Sequence, residues 1–239
     1  MKRIGFCLTC TLLLGLLTIM PGKTQAQSFL EPADTLHPPR LRAVTIGSSV
    51  AYGATLVGLN ELWYKNYPRS SFHFIYDSDE WLQLDKVGHT MTAYYESYAF
   101  YEMLKWAGMP EQKRTWYGGL AGFILQTPIE ILDGFSKHWG ASKGDLITNA
   151  LGSGIFVVQQ KAWQEQKLLF KYSFSTTRYA DIKPEQLGEN LIQQSLKDYN
   201  GQTYWLSTSI NHVIPGSDPL PAWLNIAGGY GGQGMVGGP

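Results

Sequence analysis

WLQLDKVGHTMTAYYESYAF at residues 81–100 and QTPIEILDGFSKHWGASKGDLITN at residues 126–149 are the stretches on which the fold turns. Both are apolar, aromatic and glycine-bearing, as helices of a packed interior are. Yet they carry Asp85, Lys86, His89, Glu96, Gln126, Glu130, Asp133, Ser142, Asp145 and Asn149. Ionisable groups on helices that bury most of their surface are costly unless paired or working. Their spacing is helical. Asp85 and His89 are four apart, with Glu96 two turns further on. Gln126, Glu130 and Asp133 follow at four and three, and Asp145 and Asn149 at four, so each set shares one helix face. Three helices that each present an acid predict a meeting of acids inside a bundle. Carboxylate-bridged metal sites are built that way, and so are acid–base pairs with separated pKa values. His89 is the natural proton carrier near neutral pH.

Working outward, four helices are expected. The first covers Arg40 to Tyr64, with no charge between Arg42 and Glu61. Asp77 with Glu80 three residues later is a capping pattern that starts the second, which stops before Gly108 and Pro110. The third runs from about Pro110 to Leu132 with a kink at Pro128. Ser142 and Asp145 form a capping box for the fourth, which continues to about Gln164. After Lys167 the pattern changes. Phe170–Ser175 alternates as a strand does, Pro184–Tyr199 is an amphipathic helix, Asn200-Gly201 turns, and Thr203–Ile210 is extended. From Trp223 glycine dominates, as in a flexible tail or the start of an unfinished element. The fold class is mainly α: a compact bundle of about four apolar helices with a small mixed α/β C-terminal region. Residues 43–165 form the helical core and 166–239 the accessory region, after an extended leader at 27–42.

Met1 to Ala26 has the layout of a secretory signal peptide: Lys2 and Arg3, an apolar run from Ile4 to Met20, Pro21-Gly22, and small Ala26 at the cleavage point. An uncut first membrane anchor is the competing reading. Both cysteines, Cys7 and Cys10, fall inside this segment, so the mature chain has no disulfide, thiolate nucleophile or cysteine-ligated metal. Export without disulfides suits a bacterial periplasm or envelope. The formal charge of +0 becomes about three negative once Lys2, Arg3 and Lys23 are removed. No basic run points to a nucleic-acid partner. Eight tryptophans within 13% aromatic residues favour large packed contacts or a membrane interface.

The run Asp85-Lys86-Val87-Gly88-His89, then Glu130-Ile131-Leu132-Asp133-Gly134, then Gly140-Ala141-Ser142-Lys143-Gly144-Asp145 with Asn149 and Gly152 resembles the YfiM-like family of predicted periplasmic lipoproteins. More distantly, the order of these motifs is similar to VanZ-like membrane proteins. The resemblance covers about Trp81 to Gly152. It implies an envelope protein with a helical core and no established activity, and it carries over Asp85, Lys86, His89, Glu130, Asp133, Ser142, Asp145 and Asn149. The chain departs from the lipoprotein pattern in having no cysteine placed to accept a lipid.

Two functions follow. In the first, an exported envelope protein uses a buried Asp/Glu/His constellation to hold its helices in register and binds an envelope lipid, glycopeptide or membrane protein. In the second it is a hydrolase or transferase acting on lipid or cell-wall material through Asp85, His89, Glu130, Asp133 and Asp145, with Lys86, Glu96, Gln126, Ser142 and Asn149 in support. A divalent metal is a possible cofactor of that site. Bland roles compete: Asp145 as the cap of its own helix, Asp85–Lys86 as a solvated pair, His138 as a loop residue. The core helices are expected to lie in the periplasm or against the envelope membrane, not to span it.

Overall fold

Proline is tolerated in the first turn of a helix, where its missing N–H leaves nothing unpaired, and Pro38-Pro39 open α1 (Pro38–Leu62). The computed structural model describes residues 29–62, 64–214, 220–221 and 223–236. The signal-like segment 1–26 lies outside the described residues, and the extended leader ends at His37, not Arg42. By contacts the chain divides after Glu31, and Pro32–Pro239 make one unit. That unit is mainly helical, with a small sheet towards its C-terminal end.

The central element is α2 (Leu84–Trp106). Around it pack α3 (Glu111–Gly119), α4 (Ala121–Asp133) and α5 (Lys143–Trp163). Missing side chains make these approaches possible. A Cβ on Gly122 would lie 1.9 Å from the Ala93 carbonyl oxygen, and one on Gly152 would lie 2.1 Å from that of Thr90. Tyr94, Tyr101, Phe156 and Val157 fill the space between α2 and α5.

The single helix expected over 110–132 is broken at Leu120, while Pro128 is accommodated within α4. A helix start leaves unpaired N–H groups, and Leu120 offers no side-chain cap. Neighbouring helices supply it instead. The Gly122 N–H donates to Ser97 Oγ (3.1 Å) and the Phe123 N–H to Ser153 Oγ (2.8 Å), and the two hydroxyls bond each other at 3.0 Å.

The second expected start also moves. Asp77 caps nothing; α2 begins at Leu84, after a turn in which Trp81, Leu82 and Gln83 have φ of 50°, 49° and 62°. Left-handed backbone costs roughly 1–2 kcal/mol per residue without glycine, so surrounding contacts must hold this turn. The Tyr230 hydroxyl donating to the Leu82 carbonyl at 2.8 Å is one of them. A two-residue parallel pair, β1 (Phe74–Ile75) with β2 (Ala141–Ser142), brings Asp77 to the start of α5.

The C-terminal half adds β3 (Leu169–Phe174), α6 (Arg178–Ile182), α7 (Pro184–Leu187), α8 (Leu191–Lys197), β4 (Gln202–Ser209), α9 (Ile210–Val213) and β5 (Asn225–Gly231). The helix expected over 184–199 is interrupted by Gly188 at φ +108°, a conformation that glycine adopts without strain. The glycine-rich tail contains a strand: β5 pairs antiparallel with β4, and the sheet order is β3-β4-β5. This sheet sits on α2, where Gly88 leaves room for the Tyr204 hydroxyl, which a Cβ would meet at 2.8 Å.

Candidate functional site

Two side chains of α2, one turn apart, organise the site. Lys86 is buried; its ammonium donates to Asp77 Oδ2 and Asp85 Oδ2 (3.1 Å) and forms an ion pair with Asp145 Oδ1 (2.7 Å). Burial alone would lower its pKa, but Asp85, Asp145 and Asp77 together raise it, so it stays charged. Ser142 caps α5 by accepting from the Asp145 N–H (3.0 Å) and donates its own proton to Asp77 Oδ1 (2.8 Å). Asp145 is therefore not the cap of its helix, and Asp85–Lys86 is no solvated surface pair.

His89 lies one turn further along. Its Nδ1 is 3.0 Å from Asn149 Oδ1, so the N–H there donates to the amide and Nε2 is left for the cluster. Nε2 is 3.8 Å from Asp85 Oδ1 and 3.9 Å from Asp145 Oδ1, and Nδ1 is 3.9 Å from Glu130 Oε1. These spacings are too long for hydrogen bonds, so none of the three carboxylates closes on the ring. Burial disfavours the imidazolium, but Asp85, Asp145 and Glu130 together raise its pKa. Asn149 is fully buried, and its Nδ2 has no hydrogen-bond partner among the described residues. A buried N–H of that kind calls for an acceptor.

The acids divide into charged and proton-holding. Burial pushes Asp85 up, but His89, Lys86 and the Tyr199 hydroxyl, which donates to Asp85 Oδ1 at 2.6 Å, bring it below its usual value. Glu130 is pushed up to about 7 by burial and by Asp145, against His89 and an N–H bond from Ser142. Asp133 is pushed up to about 6 by burial, although the Tyr64 hydroxyl (2.9 Å) and the Trp139 indole (2.6 Å) donate to it. Burial raises Asp145 as well, with His89 opposing. Acid and base thus sit side by side with unequal proton affinities.

A pocket of about 370 Å³ opens on this arrangement, lined by Asp85, His89, Glu130, Asp133 and Asp145 with Trp81, Trp139, Leu59 and Ile129. A second, of about 380 Å³, lies between α2 and the sheet and shares only Asp85 and His89 with the first; Gln126, Tyr199 and Tyr204 are among its walls. Asp85, His89 and Asp145 each offer a ligand atom, all within 4.8 Å of one another, and could hold a divalent cation. The Lys86 ammonium, already bonded to two of these acids, competes with such an ion.

Of the residues singled out by spacing, Asp85, Lys86, His89, Glu130, Ser142, Asp145 and Asn149 are brought together. Asp133 lines the same pocket but turns to Tyr64 and Trp139. Glu96 and Gln126 stand apart, bonded to each other at 3.0 Å, with Glu96 pushed up to about 7 by burial. His138 packs against the Tyr67 ring in a loop. Spacing missed Asp77, Tyr199, Tyr64, Trp81 and Trp139, all of which lie outside the helix periodicities that flagged the others. No protein-family model, curated protein or solved structure matches the chain.

Proposed function

We propose that the protein is an exported bacterial envelope protein whose first pocket carries out acid–base hydrolysis or group transfer on lipid or cell-wall material. The secretory-signal layout of Met1 to Ala26 motivates the location. One observation supports the chemistry: His89 is tethered at Nδ1 by Asn149 while three carboxylates stand 3.8–3.9 Å from its ring nitrogens without bonding them, at a pocket wall. In this reading α1, α2, α3–α4 and α5 are the four helices of one bundle, and the sheet region closes over its flank.

The proton path is short. Ionised Glu130 takes a proton from an attacking water, and the His89 imidazolium gives one to the leaving oxygen or nitrogen as the bond to it breaks. Glu130 then gives its proton up to water in the pocket and His89 regains one at Nε2 from the same water, Nδ1–H staying on Asn149 throughout. Asn149, fully buried behind the ring, fixes the tautomer that leaves Nε2 free to transfer a proton. A metal-assisted version would place a divalent cation on Asp85, His89 and Asp145.

The test is complementation of a deletion strain. His89→Gln and Glu130→Gln should accumulate as folded protein, keep their melting temperature within a few degrees and fail to restore the envelope phenotype. Full complementation by both variants would overturn the reading. A second reading, a polar network that only fixes helix register while the protein binds an envelope ligand, is favoured by one observation, the closed Lys86 hub. Failure of the His89 and Glu130 variants to accumulate would support it instead.

A further inference from the structure

Beside their aromatic core the helices of this protein bury several polar pairs, and they leave a set of aliphatic side chains exposed. Between the helices lie Ser97 bonded to Ser153, His89 to Asn149 and Gln126 to Glu96, with glycines at the closest approaches. Small residues and side-chain hydrogen bonds between helices are how bundles pack where lipid, not water, is the outer solvent. On the outside, Ile46, Val50 and Val57 of α1, Ile124 of α4, and Leu151 and Val158 of α5 are 52–67% exposed. These three helices are neighbours: the Tyr52 hydroxyl of α1 donates to the Leu125 carbonyl of α4, and the Phe123 N–H of α4 donates to Ser153 of α5. Isolated exposed aliphatics are ordinary, but groups of them on adjoining helices mark a contact surface.

Charge decides what the surface meets. No Asp, Glu, Lys or Arg occurs over 43–60, 115–129 or 146–160. At 1.5 Å per residue the first of these runs spans about 27 Å, close to the ~30 Å of a bilayer's hydrocarbon. Cations and tryptophans stand at the rims: exposed Arg42 before α1's run, and Lys161 over the Trp116 ring, with Trp163 beyond, at the end of α5's. Tryptophan and lysine at the edge of an apolar band suit the headgroup layer. Among the described residues no helix is long and apolar enough to cross a membrane.

We propose that the outward faces of α1, α4 and α5 seat the protein on a phospholipid bilayer, immersed in its interfacial layer without spanning it. The inference does not depend on whether the acid cluster is catalytic. Leu59 of α1 lines the first pocket from the face of that helix opposite Val50 and Val57, so docking and the pocket use different sides of α1.

Flotation of the full chain with vesicles of phosphatidylethanolamine and phosphatidylglycerol tests this. The protein should float, and should still float in high salt because apolar burial, not ion pairing, holds it. The double variant Val50→Asp/Leu151→Asp should float at least about tenfold less with an unchanged melting temperature. Ile182→Asp/Ile192→Asp, at equally exposed positions of the C-terminal half, should float as the unsubstituted protein does. Acyl-brominated lipid should quench tryptophan fluorescence in the unsubstituted protein, a readout that needs no variant. His89→Gln should float normally, which separates docking from catalysis. Three results would each overturn the proposal: absence of flotation, undiminished flotation of the Val50/Leu151 variant, or conversion of a dimer to a monomer by those substitutions without vesicle binding, which would give the face to a second copy.

Discussion

Lys86 and His89 stand one turn apart on α2 and share two carboxylates, Asp85 and Asp145, yet their surroundings have opposite characters. Around Lys86 the contacts are closed: ammonium to carboxylate at 3.1 Å and 2.7 Å, with Asp77 and the capping Ser142 completing the set. Around His89 they are open, at 3.8–3.9 Å from three acids, and a pocket begins there. Closed contacts hold a structure, whereas groups left unbonded at a pocket wall can bond what enters it. The same acids therefore serve as a lock on one side and as working groups on the other.

The largest test of that contrast is Lys86→Met. It leaves three acids without their cation in a buried place, and removing one member of a buried ionic set costs about 3–5 kcal/mol. The variant should melt roughly 10 °C lower or fail to accumulate; a change of less than about 1 kcal/mol in denaturant unfolding would show that the hub does not lock the fold.

Glu130 gives the next largest effect. It and Asp133 hold protons up to about 7 and about 6 in the folded protein, against ordinary values of 4.5 and 3.8. Their contribution to stability is complete below pH 4 and is lost as pH rises through 6 to 7. Raised His89 adds to the same trend, whereas lowered Asp85 acts only at more acidic pH, where it is protonated. Glu130 and Asp133 should thus cost the protein on the order of 4 kcal/mol between pH 5 and pH 8, and Glu96, also pushed up to about 7, adds to the loss. Glu130→Gln should flatten that slope in denaturant titrations at the two pH values, and an unchanged slope would remove Glu130 from the cluster's proton balance.

Tyr199→Phe deletes a 2.6 Å hydrogen bond to Asp85. It should cost about 1–2 kcal/mol and raise the pKa of Asp85, readable by NMR titration of the carboxyl carbon. His89→Gln should have the smallest effect on stability, below about 1 kcal/mol, because none of the three acids bonds the ring and the glutamine amide can take over the bond to Asn149. If it destabilises as much as Lys86→Met, the open side is structural too and the contrast fails.

Helix periodicity made much of this legible. Asp85/His89, Gln126/Glu130/Asp133 and Asp145/Asn149 were visible as shared faces, and the Ser142 cap was visible as a local pattern. Strand β3 was likewise readable from alternation, and β4 as an extended run after the Asn200-Gly201 turn. The turn at Trp81–Gln83 was not, because three consecutive left-handed residues other than glycine contradict local preference and persist only through distant contacts such as Tyr230 to Leu82. The break at Leu120 was hidden for a similar reason, since its caps are the hydroxyls of Ser97 and Ser153 on other helices. Tyr199 reaches Asp85 across 114 residues of chain, a separation over which no periodicity carries information.

The sequence by itself determined that helices form here, which faces carry acids, and that those acids needed partners. Such properties follow from spacing along one helix and from the cost of burying charge. Only the tertiary structure decided which acid meets which cation, that Lys86 is enclosed while His89 opens on a pocket, and that Asp77 and Tyr199 belong to the site. Pairing between elements depends on the relative placement of helices, set by close glycine contacts and by the sheet lying against α2, and a one-dimensional pattern does not encode it.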